Sequence, residues 1–352
     1  MSLFSSKSAP GMQPHLDEIS PLAAMPGGEV HLRGAHLGNP AAATIGDTPA
    51  PLTLSRSAHA ILRVPEGTIS GAVKLHAHGA ESNALLLNVA VPLAENLHPV
   101  SNPAVDADGN LYATFSGPRG QAVPVSIFRI DRDYQLRPFV RELMNATGLA
   151  FGKDRYLYAS SRSEGTVYRI SPEGAVSTYA EGLGVATGIA FDDDGNLFVG
   201  DRSGTIFKIE PATESGTTRT AQKMFVYATL EPSVAAYHLA FNDLGTLFVT
   251  GPTTSSFDCV HAIDRDGTAS VYYRGLGRPQ GSAFDADGNL YVAASLAGDR
   301  GIVRITPSRE AKLVVSGNNI VGLCFVEDGC AAIATTNALY HVALDIEGRP
   351  LI

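Results

Sequence analysis

The chain is 352 residues long, and its 35 Asp and Glu outnumber 26 Lys and Arg, for a net charge of −9. That acid excess argues against nonspecific binding to nucleic acid or to an acidic membrane, and no apolar run reaches the ~18 residues of a membrane-spanning helix. Cys259, Cys324 and Cys330 are odd in number and lack metal-ligand spacing, so nothing in them asks for an oxidising compartment. The N-terminus lacks a long apolar stretch of the secretory kind, which points to a cytoplasmic protein, or to an extracellular one if the N-terminus is truncated.

In chain order, residues 1–12 (MSLFSSKSAPGM) read as a disordered lead-in. Residues 13–92 have a different texture: short alternating segments (EVHLRG, AILRVP, AVKLHAHG, ALLLNV) sit between Pro, Gly and Asn turns. Alternation with turn punctuation predicts a small β-sandwich. The ordered phrases ISP, PGGEVHLRGAHLG, the Ile45-Gly46-Asp47 turn and VPEGTISGAVKL ending in ESNALLLNV resemble the IPT/TIG family of immunoglobulin-like domains. That resemblance implies a binding or spacing module and carries no chemistry of its own.

Residues 93–352 are a repeat. One phrase, an apolar run, a polar turn and a second apolar run, recurs as NPAVDADGNLYAT, TGLAFGKDRYLYAS, TGIAFDDDGNLFVG, YHLAFNDLGTLFVT, QGSAFDADGNLYVA and VGLCFVEDGCAAIAT. Its anchors Val105, Phe151, Phe191, Phe241, Phe284 and Phe325 lie 46, 40, 50, 43 and 41 residues apart. Repeats of this length carrying several short strands predict a β-propeller, here of six blades. The second repeat shows the unit: inner strand 147–152, then 156–161, 166–171 and an outer strand 176–181. The last repeat gives strands over 321–326, 331–336 and 338–344 with a tail at 349–352, and residues 93–99 are expected to pair with that tail and close the ring. The fold class is therefore all-β, a small sandwich followed by a six-bladed propeller.

In such a ring the residues just before each inner strand surround the central mouth. Here they are Ser101 or Asn102, Thr147, Thr187, Tyr237, Gln280 and Val321. His238 stands where other repeats have Gly or Pro, and is a candidate general base or ligand donor, against the plainer reading of a space-filling core histidine. Tyr237 beside it suits stacking on a sugar or peptide. Arg162, Arg202 and Arg300 share the loop between second and third strands, on the mouth face, with Arg119 a further member and Arg278 one turn from the ring. Guanidinium groups there suit a carboxylate, phosphate or acidic peptide; the alternative is that each pairs with its own Glu164, Asp201 or Asp299. The Asp106–Gly109, Asp192–Gly195 and Asp285–Gly288 turns look like the start of a calcium loop but lack its later Glu, and Asp-Gly is what a tight hairpin needs.

The repeats resemble two related six-bladed groups. LFVGDRSGTIFKI (197–209) is similar to the NHL repeat, with Asp201 and Arg202 in place. The general pattern also resembles the senescence marker protein/gluconolactonase family, which implies metal-dependent hydrolysis of sugar lactones or related esters. That family's ligands are a Glu in an E-G-P phrase, an Asn before Gly in a middle blade and a later catalytic Asp. The matching positions here are Ser101-Asn102-Pro103, Thr147-Gly148 or Thr187-Gly188, and Tyr237 or Gln280. None is a carboxylate, so calcium or zinc enters only under a hydrolase reading and otherwise no cofactor is expected. The leading expectation is a non-catalytic propeller that binds a small polar molecule, a sugar, an acidic peptide or a protein partner at Asn102, Thr147, Thr187, Tyr237, Gln280, Arg162, Arg202, Arg278 and Arg300, with no nucleic acid and no membrane. The alternative is a gluconolactonase-like hydrolase.

Overall fold

Six inner strands dictate the architecture. Each carries small residues toward one side and an apolar anchor toward the other, so it can crowd neighbouring inner strands while its anchor wedges between sheets. The computed structural model describes residues 13–38, 41–77, 79–215, 218–254 and 258–349; the lead-in expected at 1–12 lies outside them. Among these residues every regular element is a strand and no helix occurs, hence none long and apolar enough to cross a membrane.

The repeats fold as six four-stranded antiparallel blades of a β-propeller; four are separate sheets, while blades 4 and 5 are joined by pairing of Leu276 with Leu296 and Gly277 with Ser295 and continue into the N-terminal strands. Blade 1 is Ala104–Val105, Leu111–Thr114, Ile127–Ile130 and Leu136–Val140; blade 2 is Ala146–Phe151, Leu157–Ser161, Thr166–Ile170 and Val176–Ala180. Blade 3 is Ala186–Phe191, Leu197–Asp201, Thr205–Glu210 and Lys223–Thr229; blade 4 is His238–Phe241, Leu247–Thr250, Asp258–Ile263 and Ala269–Gly277. Blade 5 is Ser282–Phe284, Leu290–Leu296, Asp299–Ile305 and Ala311–Ser316. Each inner strand packs on the next, and that of blade 6 returns to blade 1.

Ring closure differs from the sequence expectation. Blade 6 is Ile320–Val326, Cys330–Thr335 and Ala338–Ala343, and its fourth strand is Val91–Glu95, which pairs with Ala338–Ala343 rather than with the C-terminal tail. A strand from the start of the ring thus completes its last blade, which ties the two ends without a long connection. The tail runs elsewhere. Arg349 crosses to blades 3 and 4, where its guanidinium meets Asp243 at 2.7 Å and Asp193 at 3.2 Å and donates to the carbonyl of Phe241 at 2.5 Å.

Aromatic stacks explain why the anchors are aromatic in five repeats. Tyr158 stands edge-on between Tyr179 of its own blade (4.9 Å) and Phe191 of the next (4.8 Å). Tyr112, Phe198 and Phe248 repeat this arrangement with Phe151, Phe241 and Phe284, and Tyr291 meets Phe325. Edge-to-face pairs add about 0.5–1.5 kcal/mol each beyond burial, so the stacks fix the angle between blades.

Residues before Val91 form two sheets around one core of Leu16, Val30, Leu32, Leu62, Val73, Leu75 and Leu87. One sheet orders His15–Ser20, Glu29–Ala35, His59–Arg63 and Leu52–Ser55; the other orders Leu85–Val89, Gly71–Ala77, Ala41–Ile45 and Thr48–Ala50. Between the second sheet and blade 5 lies a two-residue strand, Ala23–Ala24. It pairs in parallel with Asn88 and Val89 on one side and with Val315 and Ser316 on the other. Met25 N donates to Ser316 O (2.7 Å) and Glu29 N to Ser316 Oγ (2.9 Å). The two parts are joined by backbone pairing, not by a bare linker.

Candidate functional site

The hairpin turns come first, because their carboxylates are the obvious metal candidates. In blade 1, Asp106 accepts from the amides of Asp108 (3.0 Å) and Asn110 (2.8 Å), from Asn110 Nδ2 (2.8 Å) and from the Tyr112 hydroxyl (3.0 Å). Asp285 repeats all four bonds with Asp287, Asn289 and Tyr291, and Asp192 holds Asp194 and Asn196. Both oxygens of each carboxylate are engaged within the turn. Gly109, Gly195 and Gly288 sit at φ near +80° (80°, 82° and 79°), which the tight turn requires. Among the described residues no three His, Cys, Asp or Glu side chains converge as a cation site.

At the axis the inner strands approach so closely that most side chains are excluded. A Cβ on Gly148 would lie 3.2 Å from Gly188 Cα, and one on Gly188 would lie 2.9 Å from His238 Cα. The two axial positions with a side chain, Asn102 on blade 1 and His238 on blade 4, belong to opposite blades. Asn102 donates to Ser282 O (2.8 Å) and accepts from Leu323 N (3.2 Å), bracing blades 5 and 6. His238 is 1% exposed; its Nδ1 faces Ser101 Oγ across the ring at 3.4 Å, and its Nε2 is buried without a partner. Burial pushes its pKa down to about 4, so the ring is neutral at physiological pH. Thr147 and Thr187 are also buried, donating to Asn145 O (2.9 Å) and Gly200 O (2.8 Å). The Tyr237 ring is 3% exposed and its hydroxyl donates to Glu231 O. The expected ring of hydroxyls and amides therefore faces inward and binds its own backbone.

Beyond this plug the axis widens into an apolar well of about 250 Å³. Ala150, Ala190, Ala283 and Cys324 line it, and Arg349 stands at its rim. Burial pushes the Cys324 thiol up to about 12, as for an inert small core side chain.

The arginines behave differently. None of the three expected local pairs forms. Glu164 accepts from Tyr168 Oη (2.8 Å), Asp201 binds Val185 N (2.8 Å) and the Ser203 hydroxyl, and Asp299 faces His31 Nε2 (3.5 Å). Each acid has a nearer partner than the arginine beside it in sequence. Arg162 instead donates to Gly117 O (3.2 Å), and its Nε is buried without a partner. Burial, followed by the positive fields of Arg119 and Arg202, holds its guanidinium below the ordinary value. The loops of Arg119 and Arg162 meet, Gly120 N donating to Ser163 Oγ (3.2 Å), while Arg202 donates to Ser233 O (3.2 Å) and lies near enough for its field to reach Arg162; among the described residues no carboxylate pairs with any of the three.

One residue that organises this cluster escapes sequence reasoning. Asn145, fully buried at φ 49°, accepts from Gly120 N (2.7 Å) and Ser163 Oγ (2.5 Å) and donates to the carbonyls of Gly117 (2.8 Å) and Pro118 (3.0 Å). It clamps the loop bearing Arg119 against the loop bearing Arg162. Its signal was a lone polar residue at a left-handed step, two positions before Thr147.

Gln280, Arg278 and Arg300 form a separate group, lining a cavity of about 300 Å³ where the end of blade 4, blade 5 and the start of blade 6 meet. Of the residues expected at one mouth, the structure sets Arg202 within reach of Arg162 by its field, gathers Arg278, Gln280 and Arg300 elsewhere, and draws Asn102, Thr147, Thr187, Tyr237 and His238 into the axis.

No family model matches the chain, and no curated protein matches it at a significant level. Solved structures do. One, a protein described provisionally as a gluconolactonase, aligns with a TM-score of 0.58 at 18% identity over 74% of this chain and 93% of its own. An auxiliary nutrient binding protein from Bacteroides thetaiotaomicron aligns at 0.53 and 13% identity over 95% of this chain and 99% of its own. Virginiamycin B lyase from Staphylococcus aureus aligns at 0.50 and 14% identity over 71% and 96%. These neighbours are β-propeller proteins of gluconolactonase-like, nutrient-binding and lyase type, and at such identities they share the fold alone.

Proposed function

We propose that this protein is a non-catalytic binding propeller that takes the carboxylates of an acidic ligand on its mouth face, at Arg119, Arg162 and Arg202. The observation that carries this reading is the contact between the loops of Arg119 and Arg162, with Arg162 half-buried, Arg202 in reach of its field, and no carboxylate paired to any of the three among the described residues. Leaving such charges together without a counter-ion costs free energy, and an anion that bridges them recovers it through charge-assisted hydrogen bonds. In this reading Asn145 positions the loops, and His238 is a space-filling element of the axial plug rather than a catalytic base. The two sheets ahead of Val91 are read as an immunoglobulin-like module of IPT/TIG type over residues 13–92, with the propeller over 93–352. The antiparallel sheets around one core and the quoted turn phrases support this, although the closing strand, which begins at Val91, straddles the boundary.

A tetraglutamate peptide titrated into the full chain by calorimetry tests the site. Binding is expected to weaken about tenfold in Arg162→Gln, a change of about 1.4 kcal/mol, and to fall steeply with added salt. Equal affinity in the wild type and the variant would sink the assignment.

The hydrolase reading rests on fold likeness to a gluconolactonase-like propeller. The donor set at the mouth does not fit its metal: hydroxyls, amides, one buried imidazole and an aliphatic side chain stand where a hard divalent ion wants converging carboxylate oxygens. Chelator-treated protein is accordingly expected to melt at the same temperature with or without Ca²⁺, Mg²⁺, Mn²⁺ or Zn²⁺. A saturable rise with one ion would reopen the hydrolase reading, because a ligand confined to the folded state must raise the melting temperature.

A further inference from the structure

The cavity where the end of blade 4, blade 5 and the start of blade 6 meet is built from residues other than those of the proposed acidic-ligand site. Arg278, Gln280, Ser295, Arg300 and Asn319 line it together with Ala293 and Gly301, and it is an open cleft of about 300 Å³. At ~30 Å³ per water, that is room for about ten waters, or for a small anion with a short body. The wall is rich in donors, with two guanidinium forks, two primary amides and a hydroxyl, and it contains no carboxylate.

The nearby acids are turned away from both arginines. Asp258 is buried and accepts from Thr253 N (2.9 Å), Thr253 Oγ1 (2.7 Å) and the backbone amide, not the guanidinium, of Arg278 (3.2 Å). Asp299 lies against His31 of the N-terminal sheets, which leaves Arg300 without a carboxylate partner among the described residues.

The outer wall is held from outside the propeller. Gly317 N donates to Arg300 O (3.0 Å), Asn318 Nδ2 donates to Gly27 O (3.2 Å), and the strand ending at Ser316 carries the Ala23–Ala24 pairing. The N-terminal sheets therefore brace this wall, and Asp299 faces their His31. Two arginines lining one cleft, with amide- and hydroxyl-bearing residues beside them, match an oxyanion whose several oxygens need several donors.

We propose that this cavity is a second binding site, for a small oxyanion of phosphate or carboxylate chemistry, held by Arg278 and Arg300 and oriented by Gln280, Ser295 and Asn319. The test is calorimetric titration of the full chain at low salt with inorganic phosphate and, separately, with citrate. One or both are expected to bind, and the tighter of the two identifies the head group. In the Arg278→Gln/Arg300→Gln double variant that affinity should fall more than tenfold. Saturating tetraglutamate should leave it within twofold, which separates this cavity from the Arg162 cluster whether or not tetraglutamate binds there. If the double variant fails to fold, Gln280→Ala supplies the comparison, with an expected loss of about threefold. The proposal is overturned if neither probe binds, if the substituted protein binds as the wild type does, or if tetraglutamate displaces the anion.

Discussion

Replacing Asn145 with alanine is expected to cost about 3 kcal/mol and to free the loop that carries Arg119. The side chain is fully buried and makes four hydrogen bonds, to Gly117, Pro118, Gly120 and Ser163. Each bond contributes roughly 1 kcal/mol net, and a buried partner left without water costs more. Gly117 is buried, whereas Pro118 and Gly120 are exposed and can hydrate, which keeps the sum below four full penalties. Alanine also tolerates φ 49° less well than asparagine, adding up to about 1 kcal/mol. The check is twofold: a fall of several degrees in melting temperature, and faster tryptic cleavage after Arg119. Local opening, not global stability, governs cleavage at an exposed loop, so a faster nick at unchanged unfolding rate assigns the effect to the clamp. Asn145→Gly separates strain from lost bonds, since glycine accepts the positive φ. A cleavage rate that matches wild type in both variants would remove Asn145 from the site.

The repeats were legible because propeller chemistry is local. An Asp-x-Asp-Gly-Asn turn carries its own hydrogen bonds, and a small-apolar-Phe inner strand has one way to pack, so phrases such as TGLAF and DADGN report their structure directly. Ring closure was less legible. Val91–Glu95 and the C-terminal tail are both plausible edge strands in sequence, and only three-dimensional register decides that Val91 faces His341. The mouth was read in outline and misread in detail. Thr147, Thr187 and Tyr237 sit at the blade steps as expected, but a step residue's direction depends on how tightly neighbouring inner strands converge, which sequence spacing does not encode. For the arginines, adjacency in sequence suggested ion pairs with Glu164, Asp201 and Asp299. In each case the acid has a different partner: Tyr168 four residues on, the Val185 amide leading into the same blade, and His31 of the N-terminal sheets.

His238 should make this propeller measurably acid-labile. Its imidazole is completely buried in the axial plug, and burial alone depresses its pKa from 6.5 to about 4. In the unfolded chain it takes a proton near pH 6.5, whereas the folded chain takes one only near pH 4. Between these values the unfolded state binds more protons, so stability rises with pH across this window and is lost as pH falls through it. A depression of that size is worth roughly 3 kcal/mol, fully present above pH 6.5 and gone below pH 4. His59, His261 and His341 are also lowered, so the raw pH dependence mixes several groups and a difference measurement is needed. Urea unfolding of wild type and His238→Gln at pH 7 and pH 4.5 isolates the term. Wild type should lose about 2–3 kcal/mol more than the variant over that interval. The same variant also separates packing from chemistry: a plug needs only volume at this position, so His238→Gln should keep tetraglutamate affinity at neutral pH. A loss of that affinity, or parallel stability curves for the two proteins, would require the imidazole to face the mouth, where Ser101 and the converging glycines now leave it no path.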